Sequence, residues 1–199
     1  MGEIQGSIES LSENDKEEMR TYQIPREGKN FAARRWALKQ ILSLLPGIDP
    51  DKLDLEKGLN GKPYLKNSNL QFNSSHSSDL IAIAVNLNDY IGIDVEVVRF
   101  LPEMESIIDC NFCSREQDYI NSCSNTKERI NKFWEIWNRK EACIKSLDYK
   151  INKDLKELDT ISVEQMNGWC YLNKNKVWVT SNSNDSYSFG IAFKQKISI

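Results

Sequence analysis

The 199-residue sequence predicts an α+β fold, and three observations carry that reading. A helical period runs through residues 30–45. Two strand-like apolar segments follow at 80–87 and 90–97. A helical block then gives way to a strand-rich tail. Each half of the chain thus offers one long helix and antiparallel strands, which suits a duplicated architecture.

Residues 1–20 hold little apolar content beyond Ile4, Ile8, Leu11 and Met19, and read as a short strand and turn or a partly mobile segment. From Asn30, Phe31, Arg35, Leu38, Ile41, Leu42 and Leu45 fall at helical spacing, and Pro46-Gly47 ends that helix. A short strand is expected at 52–55, and Asn60-Gly61 followed by Pro63 marks a turn. Phe72-Asn73 reads as the end of another short strand, with a serine-rich loop after it. Residues 80–87 and 90–97 are strands, and Asn88-Asp89 between them suits a hairpin turn. A helix near 102–109 comes next, then a short one capped by Ser114 with Gln117 three residues on, then a long one over 126–147. The tail reads as strands at 160–165, 169–172, 176–180 and 187–193, with turns at Asn167-Gly168 and 182–185.

Bulk properties narrow the function. A hydrophobic fraction of 40% with 28% charged residues is ordinary for a globular chain, and a net charge of −3 argues against a general nucleic-acid binder. Charge is uneven. Arg26, Lys29, Arg34, Arg35 and Lys39 stand against Glu27 alone, which suggests a small anion as partner. Five scattered cysteines, with only Cys110 and Cys113 in a CxxC, fit a reducing cytoplasm better than a disulfide framework or a zinc site. The acidic N-terminus does not read as a signal peptide, and no run approaches the ~18 apolar residues of a spanning helix.

Four motifs bear chemistry. Asp94-Val95-Glu96 in a strand puts two carboxylates on one face, about 7 Å apart or closer, while the other face is aliphatic core. Two adjacent acids need a partner, and oxygen ligands with a single histidine favour magnesium over zinc. The alternative is a solvent-facing acidic edge. Trp137, Glu141 and Lys145 follow at i, i+4 and i+8 and share a helix face, although Glu141 and Lys145 also read as a routine helix pair. Ser74, Ser75, His76 and Ser77 supply donors suited to phosphate; His76 is the only histidine. A serine nucleophile is less apt, since GxSxG is absent. Gly61-Lys62-Pro63 combines close backbone approach, a charge and a fixed turn.

Taken in order, Gly61-Lys62-Pro63, Phe72-Asn73-Ser74-Ser75-His76-Ser77, Gly92-Ile93-Asp94-Val95-Glu96 and Trp137 through Lys145 closely resemble the 4′-phosphopantetheinyl transferases, over roughly residues 26–158. The spacing resembles the larger, two-lobed type that activates carrier proteins of peptide, polyketide and fatty-acid synthases, not the smaller trimeric holo-acyl-carrier-protein synthases. The resemblance implies a monomeric pseudo-dimer of two α+β lobes, residues 1–97 and 98–199, with coenzyme A in the cleft. It implies Ser75 and His76 at the coenzyme A phosphates, Gly61, Lys62 and Pro63 at its nucleotide end, and Arg35, assisted by Arg26, near its 3′-phosphate. Asp94, Glu96 and Glu141 would hold magnesium, with manganese as a substitute, and Lys145 would stand beside the pyrophosphate.

The implied reaction moves phosphopantetheine from coenzyme A to a serine of an apo acyl or peptidyl carrier protein in the cytoplasm. Glu141 is the candidate base, and Lys145 the donor to the leaving oxygen. Two positions depart from the family pattern. Ser146-Leu147-Asp148-Tyr149-Lys150 lacks the glycines often found after Lys145, so that loop is expected to avoid left-handed backbone, and Ser78 replaces a frequent glycine. A metal-dependent nuclease would need a lysine where Val98 stands. A non-catalytic module binding carrier protein or nucleotide is the remaining alternative.

Overall fold

Ser12 starts a helix that the sequence reading missed. In the computed structural model, which describes residues 8–9, 11–49, 53, 55–66, 68–148, 153–161, 167–172 and 174–195, helix α1 spans Glu13–Thr21. The Ser12 hydroxyl accepts from the Asp15 amide at 3.2 Å, with Glu13 and Asp15 in the first turn. The strand-or-mobile expectation for 1–20 is thus corrected over residues 13–20; residues 1–7 and 10 lie outside the described ones. Helix α2 spans Pro25–Ser43 and begins five residues before the expected start, because proline at the first helical position lacks only an amide that would have no partner there. Its buried residues include Phe31, Ala32, Leu38 and Leu42. By contact the chain divides into two compact units, Met1–Asp54 with α1 and α2, and Leu55–Ile199 with everything that follows.

In the second unit, β1 (Leu55–Lys57) pairs with β2 (Pro63–Leu65). Strand β3 (Gln71–Ser77) pairs antiparallel with β4 (Leu80–Asn86). Strand β5 (Tyr90–Val97) pairs with the last strand, β8 (Tyr187–Lys194), in a four-stranded antiparallel sheet ordered β5-β8-β7-β6. Strands β6 (Gly168–Leu172) and β7 (Asn175–Ser183) complete it. Two expectations change here. The hairpin turn is Ser78-Asp79, not Asn88-Asp89, and the serine-histidine stretch is strand rather than loop. Ser78 makes the tight turn with φ 52, the left-handed region where glycine is favoured. The expected strand at 160–165 is absent at 160–161, and the rest lies outside the described residues.

Helices α3 (Met104–Asn111), α4 (Ser114–Asn121) and α5 (Thr126–Leu147) follow β5. The α4 cap is one residue earlier than expected: the Glu116 carboxylate accepts from the Cys113 amide at 3.0 Å. Helix α5 has the expected bounds, with the Asn125 side chain accepting from the Glu128 amide. It ends at Asp148 with φ 53 and ψ 39. The loop therefore does take up the left-handed backbone expected to be excluded there, because aspartate tolerates it as a single capping residue.

Helix α5 is buried along most of its second half, where Ala142, Cys143 and Ile144 pack with Leu155, Leu158, Val177, Val179 and Ala192. Phe133, Trp134 and Ile136 pack with Phe112, Ile120, Met104 and Ile108. Lys140, fully buried, meets the Glu116 carboxylate at 2.7 Å and donates to the Leu155 and Leu158 carbonyls. Thr160 donates to Glu116 from its amide at 3.0 Å and its hydroxyl at 2.8 Å, so both buried charges are satisfied. The five cysteines are free, with Cys143 Sγ 3.5 Å from Cys170 Sγ. Among the described residues no helix is long and apolar enough to cross a membrane.

Ser78→Gly relieves left-handed strain at the hairpin. It is expected to stabilise the protein by about 1 kcal/mol, raising the thermal midpoint by about 2–4 °C. Calorimetry checks this, and a lower midpoint would contradict the strained turn.

Candidate active site

Glycine decides how close α5 comes to the sheet. A Cβ on Gly92 would lie 2.1 Å from the Ala142 carbonyl oxygen and 2.4 Å from the Ser146 amide nitrogen; one on Gly190 would lie 2.5 Å from the Asn138 oxygen. The helix backbone thus rests directly on β5 and β8. By strand alternation Asp94 and Glu96 share the face of Gly92 toward α5, while Ile91 and Ile93 pack with Ala82 and Ala84 of β4. The aliphatic core expected opposite the acids is therefore present. Helix spacing then brings Glu141 and Lys145 to the same carboxylates.

Lys145 Nζ donates to Asp94 Oδ1 at 2.5 Å and to Ser75 Oγ at 3.2 Å. Ser75 Oγ donates to Asp94 Oδ1 at 2.7 Å, and Ser77 Oγ donates to Glu96 Oε2 at 2.5 Å. The Asn73 side chain accepts from the Ile93 amide at 2.8 Å. Alternate residues of β3 therefore hold β5 through side chains. His76, on the other face of β3, is exposed. Asp94 is 3% exposed and Glu141 6%, and Asp94 Oδ2 and Glu141 Oε1 are buried without a hydrogen-bond partner. Burial pushes the Glu141 carboxyl up to about 7; Asp94 and Glu96 add to the shift, and Lys145 opposes it. Glu96 is also raised, chiefly by burial.

An all-oxygen donor set with two orphaned buried oxygens and excess negative charge fits a hard divalent cation. Among the described residues, the group of three candidate ligands whose atoms all lie within 4.8 Å of one another is Cys113, Glu116 and Asp159, not Asp94, Glu96 and Glu141. In that other group Glu116 is taken up by Lys140 and Thr160. At Asp94 the Lys145 ammonium supplies the local counter-charge.

The Gly61-Lys62-Pro63 turn joins this region through a contact that the sequence did not reveal. Gly61 has φ 87, and Lys62 Nζ donates to the carbonyls of Ile91 and Lys145, each at 2.8 Å. Lys62 thereby ties the turn to β5 and to the last turn of α5. Burial lowers its pKa to about 8, against the pull of Asp148. Lys62 and Pro63, with Gly58, Tyr64, Phe72, Tyr90 and Asp148, line a cavity of about 200 Å³. Arg26 and Arg35 belong to the N-terminal unit. Arg26 is exposed. Arg35 is buried with its Nε 2.8 Å from Asp15 Oδ1, and Lys39 meets the other Asp15 oxygen at 3.0 Å. Burial pushes the Asp15 carboxyl up, but Ser12, Arg35 and Lys39 outweigh it and hold it below its usual range.

The description "4′-phosphopantetheinyl transferase superfamily" matches residues 90–192, and "4′-phosphopantetheinyl transferase, N-terminal" matches residues 1–88. The chain is 32% identical over 162 residues to the 4′-phosphopantetheinyl transferase HetI of Nostoc sp., covering 79% of this chain and 67% of that protein. It is 29% identical over 145 residues to the 4′-phosphopantetheinyl transferase AcpT of Salmonella typhimurium, covering 71% of each. It is 24% identical over 164 residues to the L-aminoadipate-semialdehyde dehydrogenase-phosphopantetheinyl transferase of Rattus norvegicus, covering 77% of this chain and 53% of that one, about half its length. With carboxylates and lysine meeting on a sheet under a close-packed helix, and with both halves matched in order, the chain belongs to the 4′-phosphopantetheinyl transferase superfamily and is a transferase enzyme.

Proposed function

We propose that this protein transfers phosphopantetheine from coenzyme A to a serine hydroxyl of an apo acyl or peptidyl carrier protein, releasing adenosine 3′,5′-bisphosphate. The observation that carries this reading is the grouping of Asp94, Glu96, Glu141 and Lys145, with two buried carboxylate oxygens lacking partners. Asp94, Glu96 and Glu141 would hold magnesium, or manganese in its place, which when bound offsets negative charge on the pyrophosphate.

The chain's own residues supply the rest. Glu141 accepts the proton of the incoming serine hydroxyl, directly or through a water. Lys145, at the end of the same helix face, donates to the leaving pyrophosphate oxygen. Gly61, Lys62 and Pro63 lie at the nucleotide end, supported by the cavity beside Lys62 and Pro63. Ser75 and His76 lie at the phosphates, His76 as the side chain that donates to them, with Arg35 and Arg26 assigned to the 3′-phosphate. The fold is read as a monomeric pseudo-dimer of lobes 1–97 and 98–199, in line with consecutive matches to 1–88 and 90–192, and its compartment as the cytoplasm. A non-catalytic carrier-protein or nucleotide-binding module does not require Asp94, Glu96, Glu141 and Lys145 together.

Incubation with coenzyme A, Mg²⁺ and apo carrier proteins from fatty-acid, polyketide and peptide synthases tests the function by the mass gain of the carrier. Transfer is expected with the parent protein, and Asp94→Ala is expected to abolish it with an unchanged circular dichroism spectrum. Near-normal turnover by Asp94→Ala, or no gain on any carrier, would remove the assignment. His76→Ala is expected to raise KM for coenzyme A about tenfold with little change in kcat, as for loss of about 1.4 kcal/mol of uniform binding. An unchanged KM would take His76 away from the phosphates.

Glu141 gives a pH signature in metal-free protein. Its carboxyl is raised from 4.5 to about 7, so the folded state keeps a proton that the unfolded chain releases first. Stability is therefore lost as pH rises from about 4.5 to 7, and the whole loss is present above that window. Glu141→Gln is expected to match the parent at pH 4 and to exceed it at pH 8 by up to about 3 kcal/mol. Equal thermal midpoints at pH 8 would contradict the buried charge.

A further inference from the structure

We infer that Ser75 and Ser77 are positioning residues for the cation site, each holding one oxygen of a carboxylate so that the other is presented to the ion. This rests on the reading that Asp94, Glu96 and Glu141 bind a divalent cation. Strand alternation divides the Phe72–Ser77 motif: Asn73, Ser75 and Ser77 turn toward β5, whereas His76 faces the other way. Both serines are 7% exposed.

A hydroxyl has one proton to give, and each of these protons is directed. Ser77 Oγ accepts from the Val97 amide at 3.1 Å, so its proton goes to Glu96 Oε2. Ser75 Oγ accepts from Lys145 Nζ at 3.2 Å, so its proton goes to Asp94 Oδ1. Asp94 Oδ1 thus takes two donors and Oδ2 takes none. The oxygens left to hold the ion would be Asp94 Oδ2, Glu96 Oε1 and Glu141 Oε1. Neither serine has a second proton for a phosphate oxygen, and anion contact from this motif falls to His76. Outer hydrogen bonds of this kind restrict carboxylate rotation, and their loss weakens metal binding about 10–100-fold.

The experiment measures two affinities on the full chain: Mn²⁺ by electron paramagnetic resonance, and adenosine 3′,5′-bisphosphate by calorimetry in chelator. Ser77→Ala is expected to weaken Mn²⁺ about 10–100-fold and to leave the nucleotide affinity unchanged, with Ser77→Thr recovering most of the Mn²⁺ affinity. His76→Ala is expected to do the reverse. If Ser77→Ala does not fold, Ser75→Ala carries the same test at Asp94. Unchanged Mn²⁺ affinity in the serine variants, alongside a large loss in Asp94→Ala, overturns the positioning role alone. Unchanged Mn²⁺ affinity in Asp94→Ala overturns the cation reading beneath it. Weaker nucleotide binding in chelator for either serine variant returns the hydroxyls to the phosphates and also overturns the inference.

Discussion

The bare approach of helix α5 to strands β5 and β8 is the constraint on which the site depends. Gly92 and Gly190 leave no side chain between helix and sheet, so the Ala142 and Asn138 carbonyls sit where a Cβ would otherwise be. A helix one methyl farther away would lift Lys145 off Asp94, where the contact is now 2.5 Å. Interiors pack too densely for such a shift to be absorbed locally. The glycine of the Gly92–Glu96 motif thus acts through packing, and the acids of the same motif through charge.

Cations in this unit repeatedly serve the main chain. Lys62 binds two carbonyls, one in β5 and one in the last turn of α5, and Lys140 binds two in the 155–158 segment. Arg139, also buried, donates to the Thr160 carbonyl at 3.0 Å. Apart from the Ile91 carbonyl in β5, these partners lie at a helix end or in the 155–160 segment, where carbonyls lack regular partners. Lys145 differs from these three, because its partners are a serine hydroxyl and the Asp94 carboxylate and neither is a carbonyl. Along helix α5, Arg139 and Lys140 thus build the scaffold and Lys145, farther along, faces the carboxylates.

Much of this was legible along the chain, because the signals were local. Helix α5 carries its own cap at Asn125, and β5 carries strict alternation, so their bounds follow from sequence alone. The four short motifs mark the site in order. Signals one residue apart were harder to separate: Cys113 with Glu116 caps α4 instead of Ser114 with Gln117, and Ser12 with Asp15 opens a helix in a stretch too polar for its period to stand out.

The sequence by itself determined the α+β class, the long helix, the acidic strand and the family, since propensity, period and motif order are properties of neighbouring residues. Only the tertiary structure decided which strands pair, because β4 carries no record of whether its partner is β3 or β5. It also decided that the Ser75 and Ser77 hydroxyls face carboxylates, and that Lys62 reaches the carbonyls of Ile91 and Lys145. Those contacts join residues 19 to 83 positions apart, and their strength depends on burial and direction, which exist only once the chain has closed on itself.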